Sequence, residues 1–326
     1  MLRSLGKVGP ETGDASSFGS YDEVLGAFKK QVQHFVEFMV KCVEFKDKIY
    51  AERLHNPFIS STLEGCIESG LDMTQGGAKY NFSSISGRGL GTVADSLAAI
   101  KKLVFEEKRL GMSELIELLD TDFEGKEDMR QMLIHRAPKY GNDDDYVDTI
   151  AKDVESFFCD EVLSQKNCIR KSIFRPGGFS YGSHCSDGWF IGATPDGRRA
   201  GMPTSNSISP STGVESKGPT ATLRSAAKID HTKMANGNSL NIKLFPDLLK
   251  TEEGRKKFVM LIKSYFEMGG KEVQFNIVDE EVLCDAQKHP EKHRGLVVRV
   301  SGYNAYFTDL GKSIQDDIIA RVTFGG

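Results

Sequence analysis

The sequence predicts an α/β protein with a helical N-terminal third. Three observations carry that expectation. Apolar residues recur at three- and four-residue spacing through much of the first half, the mark of amphipathic helices. Short β-branched and aromatic runs enter in the second half and alternate with further helical segments, as in α/β chains. Of the 326 residues, 39% belong to the AVILMFWYC set, and 33 glycines bring the apolar share to about half, enough for a large core.

The first 20 residues are rich in Gly, Ser and Asp and read as a loop. From Tyr21 to Arg53, residues such as Val24, Phe28, Val32, Phe35, Val36, Met39 and Val43 repeat with helical spacing. Lys29, Lys30 and Lys41 fall off that face, and Asn56-Pro57 closes the segment. Residues 60–92 turn to Gly and Ser. A helix follows through Val93, Leu97, Ile100, Val104 and Phe105, with Thr92 as its N-cap. Two short helices are expected over 113–122 and 125–137. Asp143-Asp144-Asp145 then leads into a helix from Tyr146 to Gln165. Beyond it, Ile173-Phe174-Arg175, Trp189-Phe190-Ile191, the run 274–278 and the run 296–300 read as strands. Residues 252–268, 280–287 and 314–322 read as helices.

Charge narrows the function classes. With 42 Lys+Arg against 46 Asp+Glu the net charge is -4, so no electrostatic grip on nucleic acid or anionic lipid is expected. No run of about 18 apolar residues suggests a membrane span. Residues 1–7 lack the apolar stretch of a signal peptide, and a cytoplasmic location is expected. The six cysteines form no CxxC pair and have no histidine at zinc-ligand spacing. They read as reduced thiols packed as small hydrophobes, with no metal site and no bound cofactor.

Three local patterns invite a functional reading. Ser86-Gly87-Arg88-Gly89-Leu90-Gly91 resembles a phosphate loop, but no clear strand precedes it and no P-loop Lys-Ser/Thr follows, so it reads as a structural turn. Asp143-Asp144-Asp145 lacks the alternating ligands of a calcium loop and suits a helix N-terminus instead. Cys66-Ile67-Glu68 sets a thiol two residues from a carboxylate and could form a nucleophile with its base.

A fourth pattern is longer. Arg299-Val300-Ser301-Gly302-Tyr303 is followed by Gln315-Asp316-Asp317-Ile318-Ile319-Ala320-Arg321. This resembles the radical loop of the glycyl radical enzymes, the superfamily that contains pyruvate formate-lyase. Segments 89–101, 141–144, 194–201 and 289–292 resemble further blocks of that family in the same order, so the likeness covers nearly the whole chain. The chemistry suits the residue. A Cα radical is stabilised by its own amide nitrogen and carbonyl when the centre is planar, and a Cβ would crowd that geometry. Apolar neighbours Val298, Val300, Tyr303, Tyr306 and Phe307 are expected to keep out water and oxidants.

The resemblance implies a ten-stranded β/α barrel of two five-stranded halves, of which this chain is the C-terminal portion. It implies residues 1–200 as the end of the barrel domain and 201–326 as the glycine radical domain. Gly302 would carry the radical, installed by an activating enzyme that uses S-adenosylmethionine and an iron–sulfur cluster. Arg321 matches a family arginine near the active site. In the family the glycyl radical oxidises a cysteine on a second loop, and the thiyl radical attacks a small-molecule substrate. Met1 would begin after that loop, so the chain reads as truncated. Cys66 falls in a different, downstream block and is not expected to be the thiyl site.

Two functional readings follow. One is a catalytic glycyl radical polypeptide, for anaerobic lyase or dehydratase chemistry or acyl transfer. The other is a non-catalytic radical-bearing partner or repair subunit for a full-length or split enzyme. The likeness extends to an activating enzyme, an N-terminal half or full-length member, and a homo-oligomer as partners. Segments 228–231, 236–241 and 273–276 resemble the diol-dehydratase, C–N lyase and decarboxylase branch more than pyruvate formate-lyase itself.

Overall fold

The computed structural model describes residues 8–324; residues 1–7, which bear the signal-peptide expectation, lie outside them. The first half is helical. In order it holds α1 (Tyr21–Arg53), the single turns α2 (Pro57–Ser60) and α3 (Cys66–Ser69), β1 (Ser83–Ser86), α4 (Leu90–Ala99), α5 (Met112–Asp120), α6 (Glu127–Arg136) and α7 (Asp145–Leu163). Then come β2 (Lys166–Asn167), β3 (Ser172–Gly177), α8 (Ser183–Gly188), α9 (Gly218–Ala227), β4 (Asn241–Leu244), α10 (Glu252–Glu267), β5 (Gln274–Ile277) and α11 (Glu280–Lys288). The chain closes with β6 (Val297–Arg299), β7 (Asn304–Tyr306), α12 (Lys312–Ala320) and β8 (Thr323–Phe324).

Local chemistry sets the helix ends. Ser20 caps α1 by accepting from the Glu23 amide at 3.3 Å, with Asp22 and Glu23 in the first turn. Asp144 caps α7 by accepting from the Tyr146 amide at 3.0 Å. The acidic turn before α7 is filled by Lys228, whose Nζ lies 2.9 Å from Asp143 and 2.7 Å from both Asp145 and Asp148.

Three expectations are corrected here. Thr92 is not the N-cap of α4; Gly89, at φ +81°, holds that position. Thr92 lies inside the first turn, where its hydroxyl accepts from the Ser205 amide at 2.9 Å and its amide donates to the Ser205 hydroxyl at 3.1 Å. Trp189-Phe190-Ile191 is not a strand. It continues α8 in tight turns, and Trp189 and Phe190 are 62% and 56% exposed, so no buried face holds them extended. The Ser86–Gly91 loop does follow a strand, β1, which its serine-rich sequence hid. Its glycines serve packing: a Cβ on Gly91 would lie 2.9 Å from the Ser209 carbonyl oxygen, and one on Gly87 3.0 Å from the Phe158 ring.

The sheets are mostly parallel. β1 pairs with β3 in the register Ser83↔Phe174, and β2 adds to β3 antiparallel. β4 lies between β5 and β8, parallel to both. A parallel bridge between Gly178 and Asn238 carries the first sheet into the second. Helices α4 to α7 make the crossover from β1 to β3, and α10 makes the crossover from β4 to β5. The largest apolar cluster joins α4 and α7 to β4 through Leu97, Val147, Ile150, Leu223, Leu240, Ile242 and Tyr265. A separate cluster of Leu283, Ala286, Val298, Val300, Phe307 and Ile318 sits under the C-terminal hairpin. Each such fully buried aliphatic or aromatic side chain contributes about 1.5–3 kcal/mol.

Candidate active site

The hairpin β6–β7 presents Gly302. Val298 and Val300 point into the C-terminal cluster and are 2% and 0% exposed, which fixes the face of β6. The strands pair Val297↔Tyr306, Val298↔Ala305 and Arg299↔Asn304. The Val300 amide then donates to the Tyr303 carbonyl at 3.0 Å, closing a tight turn over Ser301 and Gly302. Gly302 stands at φ +85°, a region costly to residues with a Cβ. A Cβ there would meet Tyr181 Cε1 at 3.4 Å.

Side chains from β5 hold this turn. The Gly302 amide donates to Gln274 Oε1 at 2.9 Å, and the same oxygen accepts from Arg299 Nε at 2.9 Å. Asn276 donates to the Arg299 carbonyl at 2.7 Å and accepts from the Arg299 amide at 2.8 Å. This reciprocal pair docks β6 on β5 as a neighbouring strand would. Beneath the turn, the buried Ser301 hydroxyl lies 3.0 Å from that of Ser207 and 3.1 Å from that of Ser239. Ser239 in turn donates to Ser207 at 2.9 Å.

Behind the turn lies a buried ionic group. Arg321 donates to Asp317 Oδ2 through Nε at 3.2 Å and Nη2 at 2.9 Å, and its Nη2 donates to the Val300 carbonyl at 3.1 Å. Arg321 thus braces the backbone two residues before Gly302. His184 Nε2 meets the same Asp317 oxygen at 3.1 Å. Burial disfavours a charged Asp317, but Arg321 and His184 outweigh it and hold the carboxyl well below the usual range. Cys185 Sγ lies 3.5 Å from His184 Nε2. Burial, then the Asp317 charge, pushes its thiol up to about 12. The nitrogen nearest the sulfur is the one engaged with Asp317, so His184 is not placed as a base for Cys185. His184, Cys185 and Asp317 offer donor atoms within 4.8 Å of one another, but Arg321 already fills the cation position at that carboxylate.

With this geometry, comparison with known proteins decides the family. A model described as pyruvate formate lyase-like matches residues 2–188, and one described as glycine radical matches residues 204–308. The chain belongs to the pyruvate formate lyase-like family. Its structure superposes on the B12-independent glycerol dehydratase from Clostridium butyricum, solved with glycerol bound, with a TM-score of 0.95 and 42% identity. That match covers 98% of this chain and 40% of the dehydratase, and it places the chain within the glycyl radical enzyme barrel fold. Trans-4-hydroxy-L-proline dehydratase from Clostridioides difficile is 38% identical over 97% of this chain and 40% of that protein. Isethionate sulfite-lyase from Desulfovibrio desulfuricans is 38% identical over 97% of this chain and 38% of that protein. The chain therefore spans about 40% of the length of the curated relatives it matches.

Gly302 and Arg321 are brought together through the Val300 carbonyl. Cys66 lies elsewhere, buried at the start of α3. Glu68 does not pair with it; its Oε2 accepts from the Gly65 amide at 2.9 Å in a capping box. The expectation of a sealed apolar setting for Gly302 is half met. Val298, Val300 and Phe307 are buried, but Gly302 is itself exposed and Tyr306 is 51% exposed. Sequence reasoning gave no role to Gln274, Asn276, His184, Asp317 or the three serines. All but His184 and Ser207 stand in blocks quoted for the family likeness, and that was their only signal.

Proposed function

We propose that the chain stores an organic radical on the Cα of Gly302 and serves a glycyl radical enzyme of the dehydratase and lyase type. The observation that supports it best is the turn itself. A residue without a Cβ stands at φ +85°, with its amide held by Gln274 and its flanking backbone braced by Asn276 and Arg321. Removal of one α-hydrogen leaves Cα with one hydrogen and one unpaired electron, and the hydrogen departs with the abstracting radical. The clamp keeps the amide groups on both sides of Cα in place while the centre flattens, so little rearrangement is needed. Glycyl radical enzymes are generally activated by radical S-adenosylmethionine enzymes. The two matched segments support residues 1–200 as barrel and 201–326 as radical domain. On this reading the protein is cytoplasmic and acts on a small molecule. No helix of the described residues is long and apolar enough to cross a membrane.

A second reading has its own observation. Gly302 is exposed, and within 4 Å of its Cβ position the nearest non-neighbouring atoms are those of Tyr181, not a sulfur. The thiyl sulfur would then come from outside the residues described here. On this reading the chain lends its radical to a separate N-terminal polypeptide or a full-length family member.

Anaerobic treatment with a family activating enzyme and S-adenosylmethionine tests both. We expect an electron paramagnetic resonance doublet from the remaining α-hydrogen. It collapses when glycine is deuterated and is absent in Gly302→Ala. Air then cuts the chain at Gly302, releasing a fragment that begins near Tyr303. Activation of a full-length relative, but never of this chain in the same mixture, refutes the assignment. Turnover by the chain alone would exclude the second reading.

A further inference from the structure

The turn that faces Gly302 is built as deliberately as the hairpin that carries it. Phe179-Ser180-Tyr181-Gly182 follows β3 and is pinned on both sides. Ser180 is 1% exposed; its hydroxyl accepts from the Ser207 amide at 2.8 Å and its carbonyl accepts from the Ser183 amide at 2.8 Å. Tyr181 and Gly182 then take left-handed backbone in succession, at φ +50° and +88°. A Cβ on Gly182 would lie 3.1 Å from Ile314 and 3.8 Å from Val300, so the turn packs directly on the radical hairpin and its following helix.

Left-handed backbone strains a bulky aromatic residue, and such strain persists where the surroundings impose it. Here it is not repaid by burial, since Tyr181 stays 59% exposed. What it achieves is a ring position. Tyr181 packs edge-on against Phe179, with centroids 4.8 Å apart, and lies 6.3 Å from the Tyr303 ring. Its Cε1 and Cδ1 are 3.4 and 3.8 Å from the point where an L-residue at 302 would carry Cβ. In glycine that point belongs to the pro-S hydrogen. Gly302 remains exposed beside this contact.

We propose that Tyr181 is a positioning residue that shields the pro-S face of Gly302. A radical at Gly302 would then meet oxidants and hydrogen donors from the opposite face unless the 179–182 turn moves. The contact is made by ring carbons and not by the hydroxyl, so the ring alone suffices. The proposal rests on Gly302 as the radical site.

Tyr181→Gly suits the test because it removes the ring and also accepts left-handed backbone, so the fold is kept. Tyr181→Phe keeps the ring. In chain labelled with [2-13C]glycine, the Gly302 signal is the one lost in Gly302→Ala. We expect its two α-hydrogens to be split by the ring current in the wild type and in Tyr181→Phe, and the splitting to shrink in Tyr181→Gly. After activation, under a fixed low oxygen pressure, the doublet should decay about twofold faster in Tyr181→Gly, since the face that the ring covers is then open. Tyr181→Phe should decay at the wild-type rate. Unchanged α-hydrogen shifts in Tyr181→Gly, or equal decay in all three proteins, overturns the shielding alone. A wild-type chain with no doublet, where a full-length relative is activated, overturns the Gly302 assignment and the shielding with it.

Discussion

Replacing Arg321 by Met should destabilise the chain in a way that depends on pH and on Asp317. Arg321 and Asp317 side chains are 9% and 1% exposed, and the guanidinium also serves the Val300 carbonyl. Removing one member of a buried pair leaves an uncompensated charge, at a cost of about 3–5 kcal/mol. For a chain of this size about 2 °C is lost per kcal/mol, so the melting temperature should drop by about 8 °C. The sign with pH is set by Asp317, whose folded pKa lies below its unfolded value. Its contribution is present above the unfolded pKa and lost as pH falls through the folded one. In Arg321→Met only His184 remains to hold the carboxyl down, so the deficit should be largest at neutral pH and shrink toward pH ~4. Asp317→Asn in the same chain removes the stranded charge. The double variant should therefore be more stable than the sum of the single losses by about 2 kcal/mol. Thermal melts at both pH values complete the cycle. A single loss under about 1 kcal/mol, or strict additivity, would refute the view that Arg321 balances a buried carboxylate.

Other outcomes are expected from the same structure. Burial pushes the Asp95, Glu155 and Glu215 carboxyls up to about 7. Since the folded state binds these protons more tightly, stability should fall as pH rises from about 4 to 7 and level off above. Asp95→Asn and Glu155→Gln should flatten that slope in denaturant titrations, and an unchanged slope would contradict the assignment. Cys66→Ala should leave the radical signal intact while costing about 1 kcal/mol through the small cavity it leaves, and loss of the signal would promote Cys66 to the chemistry. Self-association is expected through α1, where Phe35, Phe38 and Phe45 are 43%, 54% and 69% exposed. Phe38→Lys with Phe45→Glu should shift sedimentation toward the monomer, whereas a wild type that is monomeric at every concentration removes the premise.

The long helices were readable because their periodic signal accumulates over many residues. α1 spans Tyr21–Arg53, as its apolar spacing predicts, and α10 spans Glu252–Glu267 against an expected 252–268. Two short strands with polar residues inside, β1 and β4, were not readable, although β5 was. β4 buries Asn241 and Lys243 together with Ile242 and Leu244, and β1 reads Ser-Ser-Ile-Ser. A buried Lys243 makes sense only once its ammonium is seen donating to the Ile319 carbonyl at 2.7 Å. The site divides the same way. Gly302 stood out because a long local motif surrounds it. Gln274 meets its amide across 28 residues of chain, and no spacing rule connects His184 with Asp317. Such contacts belong to tertiary packing, which only the fold supplies.

The bed of hydroxyls under the turn has a consequence for reactivity. Ser207, Ser239 and Ser301 hydrogen-bond to one another, Ser207 also donates to Asn206 Oδ1 at 2.9 Å, and all three are buried. Their O–H bonds are stronger than the α-C–H bond of a glycine. A carbon radical at Gly302 could not recover a hydrogen from them without an uphill step. The S–H bond of a thiol lies only a little above the glycyl α-C–H bond, so a thiol in the same place would exchange its hydrogen reversibly with the radical and let the spin visit the protein interior. The trio works as an insulator whose material is bond strength, and Ser301→Cys would turn it into a leak.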